Sequence, residues 1–343
     1  MFNILYIFSI LALLAWSGSD LFSKKGTREN DKNSHWKVVF AVGFIMGIHF
    51  FITLIGGVVI DSTVGVEGVP KMVASLFYTD FKPMDFVYYL PVAALYILAM
   101  VLGYIGLRYI ELSISSPICN SSGALAFLLC VLFGFTSTED ITVSTIIGIV
   151  MITVGIVALG FVEQREDEDV KKARQEKANR KYTKSILAFL LPISYLIIDA
   201  IGTVGDEFLF SDWFIGKTGV ELSDYAANSA FELTFFILAI FAFIWLKFKK
   251  KDNVFKGNKD LMWGGLCETV GQIFYMAVMF GEFPQGMVII SSYCAISVLW
   301  SRIFLKEKMS WKHYVVIALV IAGIIVLGAA EEGVAEKIIS KIF

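Results

Sequence analysis

Long apolar runs alternate with short polar loops along almost the whole chain. A helix needs about 20 apolar residues to cross the hydrocarbon core of a bilayer, and ten segments meet this length. The predicted spans are 2–23, 36–60, 87–107, 112–135, 141–162, 184–205, 225–246, 260–281, 285–305 and 311–329. The pattern therefore predicts an all-α integral membrane protein with ten transmembrane helices.

One polar stretch divides these spans into two groups of five. Residues 163–183 read EQREDEDVKKARQEKANRKYT, which is too polar to enter lipid. We therefore expect a first five-helix repeat over 1–162 and a charged cytoplasmic linker over 163–183. A second five-helix repeat is expected over 184–343, ending in a short C-terminal tail.

A motif near the end of each group is written twice. Glu139 is followed after fifteen residues by GIVALG at 155–160, and Glu307 is followed after fifteen residues by GIIVLG at 323–328. The offset is 168 in both motifs. At an offset of 171, Tyr104 matches Tyr275 and Glu111 matches Glu282. The two halves are thus predicted to share one duplicated architecture, as in many secondary transporters.

The placement of Lys and Arg predicts how the bundle is oriented. The loops at 24–37, 163–184, 247–259 and 302–312, together with Arg108, carry 24 of these residues, and the opposite set carries 5. Because loops rich in Lys and Arg stay in the cytoplasm, both termini are expected outside and the linker inside. Five helices in each half then insert the two halves upside down relative to each other.

Composition excludes several other classes of protein. The chain is 57% hydrophobic and only 17% charged, which is far more apolar than an ordinary soluble domain. A net charge of −2 without a long basic patch gives no indication of nucleic-acid binding. The four cysteines lack CxxC spacing, so neither a metal site nor a disulfide framework is predicted. No motif indicates a cofactor, an ATP-binding loop or an enzyme.

The ends of the two halves resemble a known family. The runs at 114–160 and 288–328 are similar to the elements that close each half of EamA-type transporters of the drug/metabolite transporter (DMT) superfamily. The shared features are an apolar span, a short F-L-K-E-K-like turn and a helix that closes on G-I-x-x-L-G. The resemblance implies two inverted five-helix repeats, with spans one to four and six to nine around a central cavity and spans five and ten at the periphery. Two departures are the Trp16-Ser17-Gly18 sequence in place of the usual Trp-Gly pair and the predicted outside termini.

Ionisable residues inside spans are costly and usually face a cavity. The candidates are Asp20, His49, Asp199, Glu232 and Glu268. The predicted span interiors contain no Lys or Arg to pair with the acids, so the acids either take up a proton or bind a cation. Interfacial exposure is the alternative for Asp20, and a neutral ring bonded to a neighbouring helix is the alternative for His49. Interhelical hydrogen bonding is the alternative for Glu232 and Glu268, whereas Asp199 either lines the pathway or does not.

Neutral polar and aromatic residues complete the predicted pathway. Two groups lie at equivalent depths in spans four and nine: Asn120, Ser121, Ser122, Ser291, Ser292 and Tyr293. The aromatic candidates are Trp16, Tyr195, Trp263 and Tyr275, which could stack on a cationic ligand. Helix packing is the alternative for both sets. Glu307 lies between Lys306 and Lys308, and we expect it in a solvated salt bridge outside the pathway.

These observations predict a secondary transporter of the cell membrane that moves a small metabolite by alternating access. The unpaired acids favour a cationic or zwitterionic substrate, and coupling to protons or another ion is open. A flippase for lipid headgroups or lipid-linked sugars and a non-transporting scaffold are the alternatives. The expected partners are the metabolite and the bilayer, and the oligomeric state is undetermined.

Overall fold

The computed structural model describes residues 4–28, 31–135, 141–165, 172, 186–255, 258–331 and 333–334, and these residues form helices joined by short loops. In chain order the helices are α1 Ile4–Gly26, α2 Ser34–Thr63, α3 Lys71–Phe77, α4 Pro83–Gly106, α5 Leu112–Cys119, α6 Ser122–Phe133, α7 Val143–Arg165, α8 Ile186–Phe210, α9 Asp212–Thr218, α10 Asp224–Ile244, α11 Lys259–Phe280, α12 Pro284–Ser291, α13 Tyr293–Phe304 and α14 Trp311–Glu331. Most of the predicted linker, Glu139 and most of the C-terminal tail lie outside the described residues.

Within these ranges, nine helical segments are long and apolar enough to cross a membrane. They correspond to nine of the ten predicted spans, with α5–α6 and α12–α13 each forming one segment. The predicted span 260–281 coincides with α11, which is 22 residues long. Asp260, Glu268 and Gln272 make this helix more polar than the others. It packs along α1 and α2 inside the bundle.

The outer surface of the bundle is apolar, as a lipid-facing surface must be. On α7, the side chains of Val143, Ile147, Val150, Val154 and Val157 are each about half or more exposed. Their spacing of three or four residues places them on one face of the helix. In water this stripe would be costly, whereas in a bilayer it contacts lipid tails at no such cost.

The predicted fourth and ninth spans are each interrupted in the middle. Asn120 and Ser121 separate α5 from α6, and Ser292 separates α12 from α13. At both breaks a serine hydroxyl bonds a backbone carbonyl of the preceding turn, from Ser121 to Pro117 and from Ser292 to Ile289. Such local bonds compete with the regular helical ladder. The two breaks fall at matching positions of the two halves.

The packing of the helices follows the same correspondence. The closest helix pairs are α1 with α11, α4 with α8, α2 with α10, and α7 with α14. In the predicted duplication α1 corresponds to α8, α2 to α10, α4 to α11 and α7 to α14. If each helix is replaced by its counterpart, the α1–α11 pair becomes the α8–α4 pair. The α2–α10 and α7–α14 pairs stay the same. The contacts of α8 with α6 and of α1 with α13 are also counterparts of each other in the two halves.

The repeated GIxxLG motif forms the contact between α7 and α14. A Cβ added to Gly155 would lie 2.5 Å from Val320 Cγ2, and one added to Gly323 would lie 2.9 Å from the backbone N of Ile152. Real Cβ contacts are essentially never so short, so only glycine allows these helices to approach this closely. The motif is therefore a packing device between the last spans of the two halves.

The expectation that Glu307 is solvated was wrong. Its side chain is buried, and its carboxylate accepts hydrogen bonds from the backbone N–H groups of Leu112 and Ser113, both at 3.2 Å, and from Ser113 Oγ at 2.9 Å. These groups form the N-terminus of α5, where a negative charge is favoured. The carboxylate of the second half thus caps a broken helix of the first half.

Candidate functional site

A cavity of about 430 Å³ lies in the centre of the bundle. Its walls come from α1, α4, α5, α6, α8, α10, α11 and α13, so both halves of the chain contribute, and the described residues of α2, α7 and α14 do not line it. Five lining residues are acidic: Asp20, Asp199, Asp206, Asp224 and Glu268. Among the described residues that line the cavity, none is Lys, Arg or His.

Asp20 lies where the two broken spans approach α1. Its Oδ2 accepts hydrogen bonds from Ser116 Oγ on α5 at 2.6 Å and from Ser297 Oγ on α13 at 2.7 Å. Two hydroxyl donors on one oxygen orient the carboxylate but add no positive charge. The charge of Asp20, when ionised, is therefore left for something in the cavity to balance.

Asp199 and Asp206 lie on the same face of α8. They are seven residues apart, which corresponds to about 10 Å along a helix axis. Asp199 accepts from Ser122 Oγ at 2.6 Å. Asp206 is contacted by the hydroxyls of Tyr89 and Tyr96, the latter at 3.4 Å. Both carboxylates thus have neutral hydroxyl partners only.

Aromatic rings surround the region of Asp20 and Glu268. The ring of Trp16 lies 5.2 Å from that of Tyr275 and 5.7 Å from that of Tyr293, measured between centroids. Glu268 is hydrogen-bonded to Ser19, the residue preceding Asp20. Aromatic faces next to carboxylates are a common way to bind an ammonium group.

The two ends of the cavity differ. At one end Ser23, Leu107 and Leu112 are buried, and Lys24 Nζ donates to the carbonyl oxygens of Leu107 and Ile110, both at 2.5 Å. We call this the Lys24 end. At the opposite end Asp224 is exposed on the rim. The structure is therefore closed at the Lys24 end and open at the Asp224 end.

The rim of the open end lies close to further acids. Burial raises the pKa of the Tyr78 hydroxyl to about 12, and the nearby carboxylates of Asp61 and Asp80 act in the same direction. Tyr78 therefore stays neutral at physiological pH, and its ring packs edge-on against Tyr225 at 5.3 Å. A negative surface potential at this end would attract cations toward the cavity.

The two helix breaks meet beside the cavity. The side-chain amide of Asn120 donates to the carbonyl oxygen of Ser291 at 2.6 Å. Asn120, Ser122 and Tyr293 line the cavity, whereas the hydroxyls of Ser121 and Ser292 bond to their own helices. Interrupted helices in transporters expose backbone polar groups near the binding site.

His49 and Glu232 form a buried pair next to the cavity. His49 Nδ1 lies 2.8 Å from Glu232 Oε1, and the amide of Asn228 donates to the same oxygen at 3.3 Å. Gln272 Nε2 in turn donates to Asn228 Oδ1 at 3.0 Å. Asn228 and Gln272 line the cavity. A continuous hydrogen-bonded chain therefore joins the pair to the cavity.

The residues predicted from the sequence thus separate into two groups. Nine line the cavity: Trp16, Asp20, Asn120, Ser122, Tyr195, Asp199, Glu268, Tyr275 and Tyr293. Five do not: His49, Ser121, Glu232, Ser291 and Ser292. Trp263, the remaining aromatic candidate, is half-exposed on the outside of α11. Asp206 and Asp224 were missed, although the seven-residue spacing of Asp206 from Asp199 was a usable signal.

The described residues contain no group of three or more His, Cys, Asp or Glu side chains arranged to hold a metal ion. The acids of the cavity are spread along its walls instead. The arrangement can therefore bind organic cations or protons at several separate points.

Residues 211–329 match the model of the EamA-like transporter family. No curated protein matches the chain significantly. The matched segment runs from α9 through most of α14, within the second half of the chain. The match confirms the resemblance to EamA-type transporters, a family without enzymatic activity. Together with the nine apolar helical segments, it indicates an integral membrane protein of general transporter type.

Proposed function

We propose that this EamA-type membrane protein is a secondary transporter that moves a small cationic or zwitterionic metabolite through the central cavity. The observation that carries the proposal is the five acidic residues that line the cavity, faced by no basic side chain among the described lining residues. Sugar phosphates and nucleotides would be repelled by such a lining.

Buried carboxylates with only neutral partners are unfavourable in the ionised form. A cation that enters the cavity offsets this cost, and the aromatic rings around Trp16 add cation–π attraction. The cavity volume of about 430 Å³ also lies within the range of small-molecule sites. Binding is therefore favoured for compact organic cations.

The architecture supports alternating access. We propose ten transmembrane helices, with α11 as the eighth span, in two inverted repeats over 1–162 and 184–343. The symmetric helix pairing and the two matching breaks support this arrangement. Rocking of the halves would open the closed Lys24 end and close the Asp224 end. The distribution of Lys and Arg supports a cytoplasmic Lys24 end and termini on the outside.

Proton coupling has two candidate carriers. Asp199 lies in the cavity with Ser122 as its neutral partner, and the His49–Glu232 pair connects to the cavity through Asn228 and Gln272. Either acid could exchange a proton as the substrate enters or leaves. We propose that transport is coupled to protons through one of them.

The first experiment is thermal stabilisation of the purified protein across a panel of cations, zwitterions and anions at two pH values. A ligand that binds only the folded form raises Tm. We expect cations to stabilise and anions to have no effect. Stabilisation by anionic metabolites alone would contradict the proposed substrate class.

The second experiment measures uptake of the most stabilising cation into proteoliposomes over a range of pH. Asp199→Asn and Glu232→Gln are compared with Glu221→Gln, which changes an exposed acid outside the cavity. We expect one of the first two variants to lose the pH dependence and the control to keep it. If both keep wild-type transport and the wild-type pH profile, proton coupling through these acids is wrong.

The orientation has its own test. Single cysteines in the linker over 163–183 should not react with a membrane-impermeant thiol reagent in intact cells, and should react after the cells are permeabilised. Labelling in intact cells would reverse the proposed topology.

A further inference from the structure

The acids of the cavity are distributed along its length and not gathered at one point. Asp20 and Glu268 form one subsite with Trp16, Tyr275 and Tyr293, which we call the Asp20–Glu268 subsite. Asp206 forms another with Tyr89 and Tyr96, which we call the Asp206 subsite. Asp199 lies on α8 about 10 Å from Asp206 along the helix axis. The cavity thus offers two places where a carboxylate and aromatic rings meet.

Polar groups without protein partners occur in the same walls. The side chain of Tyr104 is only 7% exposed, it lines the cavity, and its hydroxyl has no hydrogen-bond partner. The same holds for the hydroxyl of Ser23, whose side chain is 1% exposed. Because nearly all buried polar groups are hydrogen-bonded, such hydroxyls are available to bond a ligand or water in the cavity. An ammonium group carries three N–H donors and no acceptor, which suits hydroxyl and carboxylate oxygens together.

The charges distinguish between classes of cation. A monoamine can balance one of the five acids, so the others must be protonated or stay uncompensated. A zwitterion brings a carboxylate of its own, and no basic side chain among the described lining residues can bind it. A linear molecule with several ammonium groups balances more of the acids without adding a negative charge.

Other lining residues of the cavity suit an aliphatic chain. Met100, Met276 and Met279 line the cavity, and methionine side chains adapt to irregular apolar ligands. From these observations we propose that the substrate is a linear diamine or polyamine, with one ammonium group at the Asp20–Glu268 subsite and another at the Asp206 subsite. This inference rests on the proposed transport function and narrows its substrate class.

The experiment measures the affinity of the purified full-length protein for three series of probes. These are α,ω-diaminoalkanes of increasing length, alkylamines of the same carbon numbers, and neutral amino acids. We expect the diamines to show an optimum length and to bind at least about tenfold more tightly than the matching alkylamine, a ratio equivalent to one well-made ionic contact. Amino acids should bind no better than alkylamines.

Variants locate the second ammonium group. Asp206→Asn should remove the preference for diamines, lowering the affinity for diamines far more than the affinity for alkylamines of the same length, because it changes one of the two subsites. Glu221→Gln should change neither affinity. A Asp206→Asn variant that weakens both series equally would contradict a two-point site. If that variant does not fold, the dependence of wild-type affinity on diamine length still decides the question.

The outcomes separate this inference from the proposed function. If alkylamines or amino acids bind as tightly as every diamine, the polyamine assignment is wrong while a cation or zwitterion transporter stands. If no amine of any class binds or is transported, both proposals are wrong.

Discussion

Two kinds of buried carboxylate occur in this bundle. Glu232 and Glu307 lie outside the cavity, and other groups of the protein form hydrogen bonds with both carboxylates. Glu232 is bonded to the ring of His49, and Glu307 accepts from two backbone N–H groups and a hydroxyl. Asp20 and Asp199 lie in the cavity wall and are bonded by serine hydroxyls alone. The first kind holds helices together, whereas the second places negative charge in the wall of the cavity.

The difference teaches how to distinguish a structural acid from a binding acid when both are buried. Fractional burial differs, since Glu232 and Glu307 are fully buried and Asp20 and Asp199 are partly exposed, but burial does not show which carboxylates are already stabilised. The partners do, because a carboxylate that is hydrogen-bonded to an imidazole ring or to a helix N-terminus is already stabilised. We therefore expect substitutions in the first group to affect folding and substitutions in the second group to affect ligands.

The largest effect is expected for His49→Phe. Removing the ring leaves Glu232 in the bundle interior with the Asn228 amide as its remaining partner at Oε1, and breaking a buried pair on one side typically costs about 3–5 kcal/mol. Chemical unfolding in detergent should report this loss in the free energy of unfolding. The double variant His49→Phe/Glu232→Met should recover most of it. If the single and double variants are equally destabilised, the loss does not come from an unpaired Glu232, and Glu232 does not belong to the acids whose partners stabilise the fold.

A smaller loss is expected when the cap on α5 is removed. Glu307→Ala leaves the N–H groups of Leu112 and Ser113 without this acceptor, and loss of a helix cap typically costs about 0.5–2 kcal/mol. Glu307→Gln keeps one acceptor oxygen and should lose roughly half as much. Thermal unfolding of both variants beside Glu221→Gln measures the series. A Glu307→Ala protein as stable as the control would show that the cap is dispensable.

For the cavity acid Asp20, we expect little change in stability. Asp20→Asn keeps a side-chain oxygen for Ser116 and Ser297 and removes a poorly compensated charge, so the free energy of unfolding should stay within about 1 kcal/mol of the parent. Binding of the preferred amine should weaken strongly in the same variant. Measuring both quantities on one preparation sharpens the comparison. Severe destabilisation with unchanged affinity would reverse the assignment of Asp20.

The smallest effect is expected at a paired acid outside the bilayer. Asp252 lies 2.8 Å from Lys37 Nζ. Burial alone would raise the pKa of Asp252, but the hydrogen bond and charge of Lys37 outweigh it and hold the pKa below its usual value. Asp252→Asn should therefore cost roughly 0.2–1 kcal/mol at neutral pH.

The pH dependence of this loss has a definite sign. Because the folded-state pKa is lowered, the stabilisation is complete above the unfolded-state pKa of about 3.9 and disappears as the pH falls through the folded-state value. Parent and variant should thus differ in Tm at neutral pH and converge in strong acid. A difference that grows on acidification would contradict the pairing.

The sequence predicted much of the fold because hydropathy and chain duplication are local or regular signals. Nine of the predicted spans coincide with apolar helical segments, and the tenth with α11. Asp20, Asp199 and Glu268 were found because a charge in an apolar run is conspicuous. Asp206 was missed because α8 continues to Phe210, five residues beyond the predicted end of its span. Asp206 was therefore expected in a loop and was not considered as a residue of the pathway.

Other features depend on contacts between distant parts of the chain. His49 and Glu232 are 183 residues apart, so no local spacing in the sequence indicates that they pair. Glu307 was misassigned because its neighbours are two lysines. In the structure Lys306 has a positive φ of 59°, and the segment alternates with both lysines exposed and Glu307 buried. Sequence neighbours therefore indicated the wrong environment.

The position of Trp16 gives the protein a built-in optical reporter. Seven tryptophans occur in the chain, and Trp16 alone among them lines the cavity. Indole emission responds to the polarity and charge of its surroundings, so occupancy of the Asp20–Glu268 subsite should alter the fluorescence of this one residue over a constant background from the other six. Binding and release could then be followed in real time on the unlabelled protein.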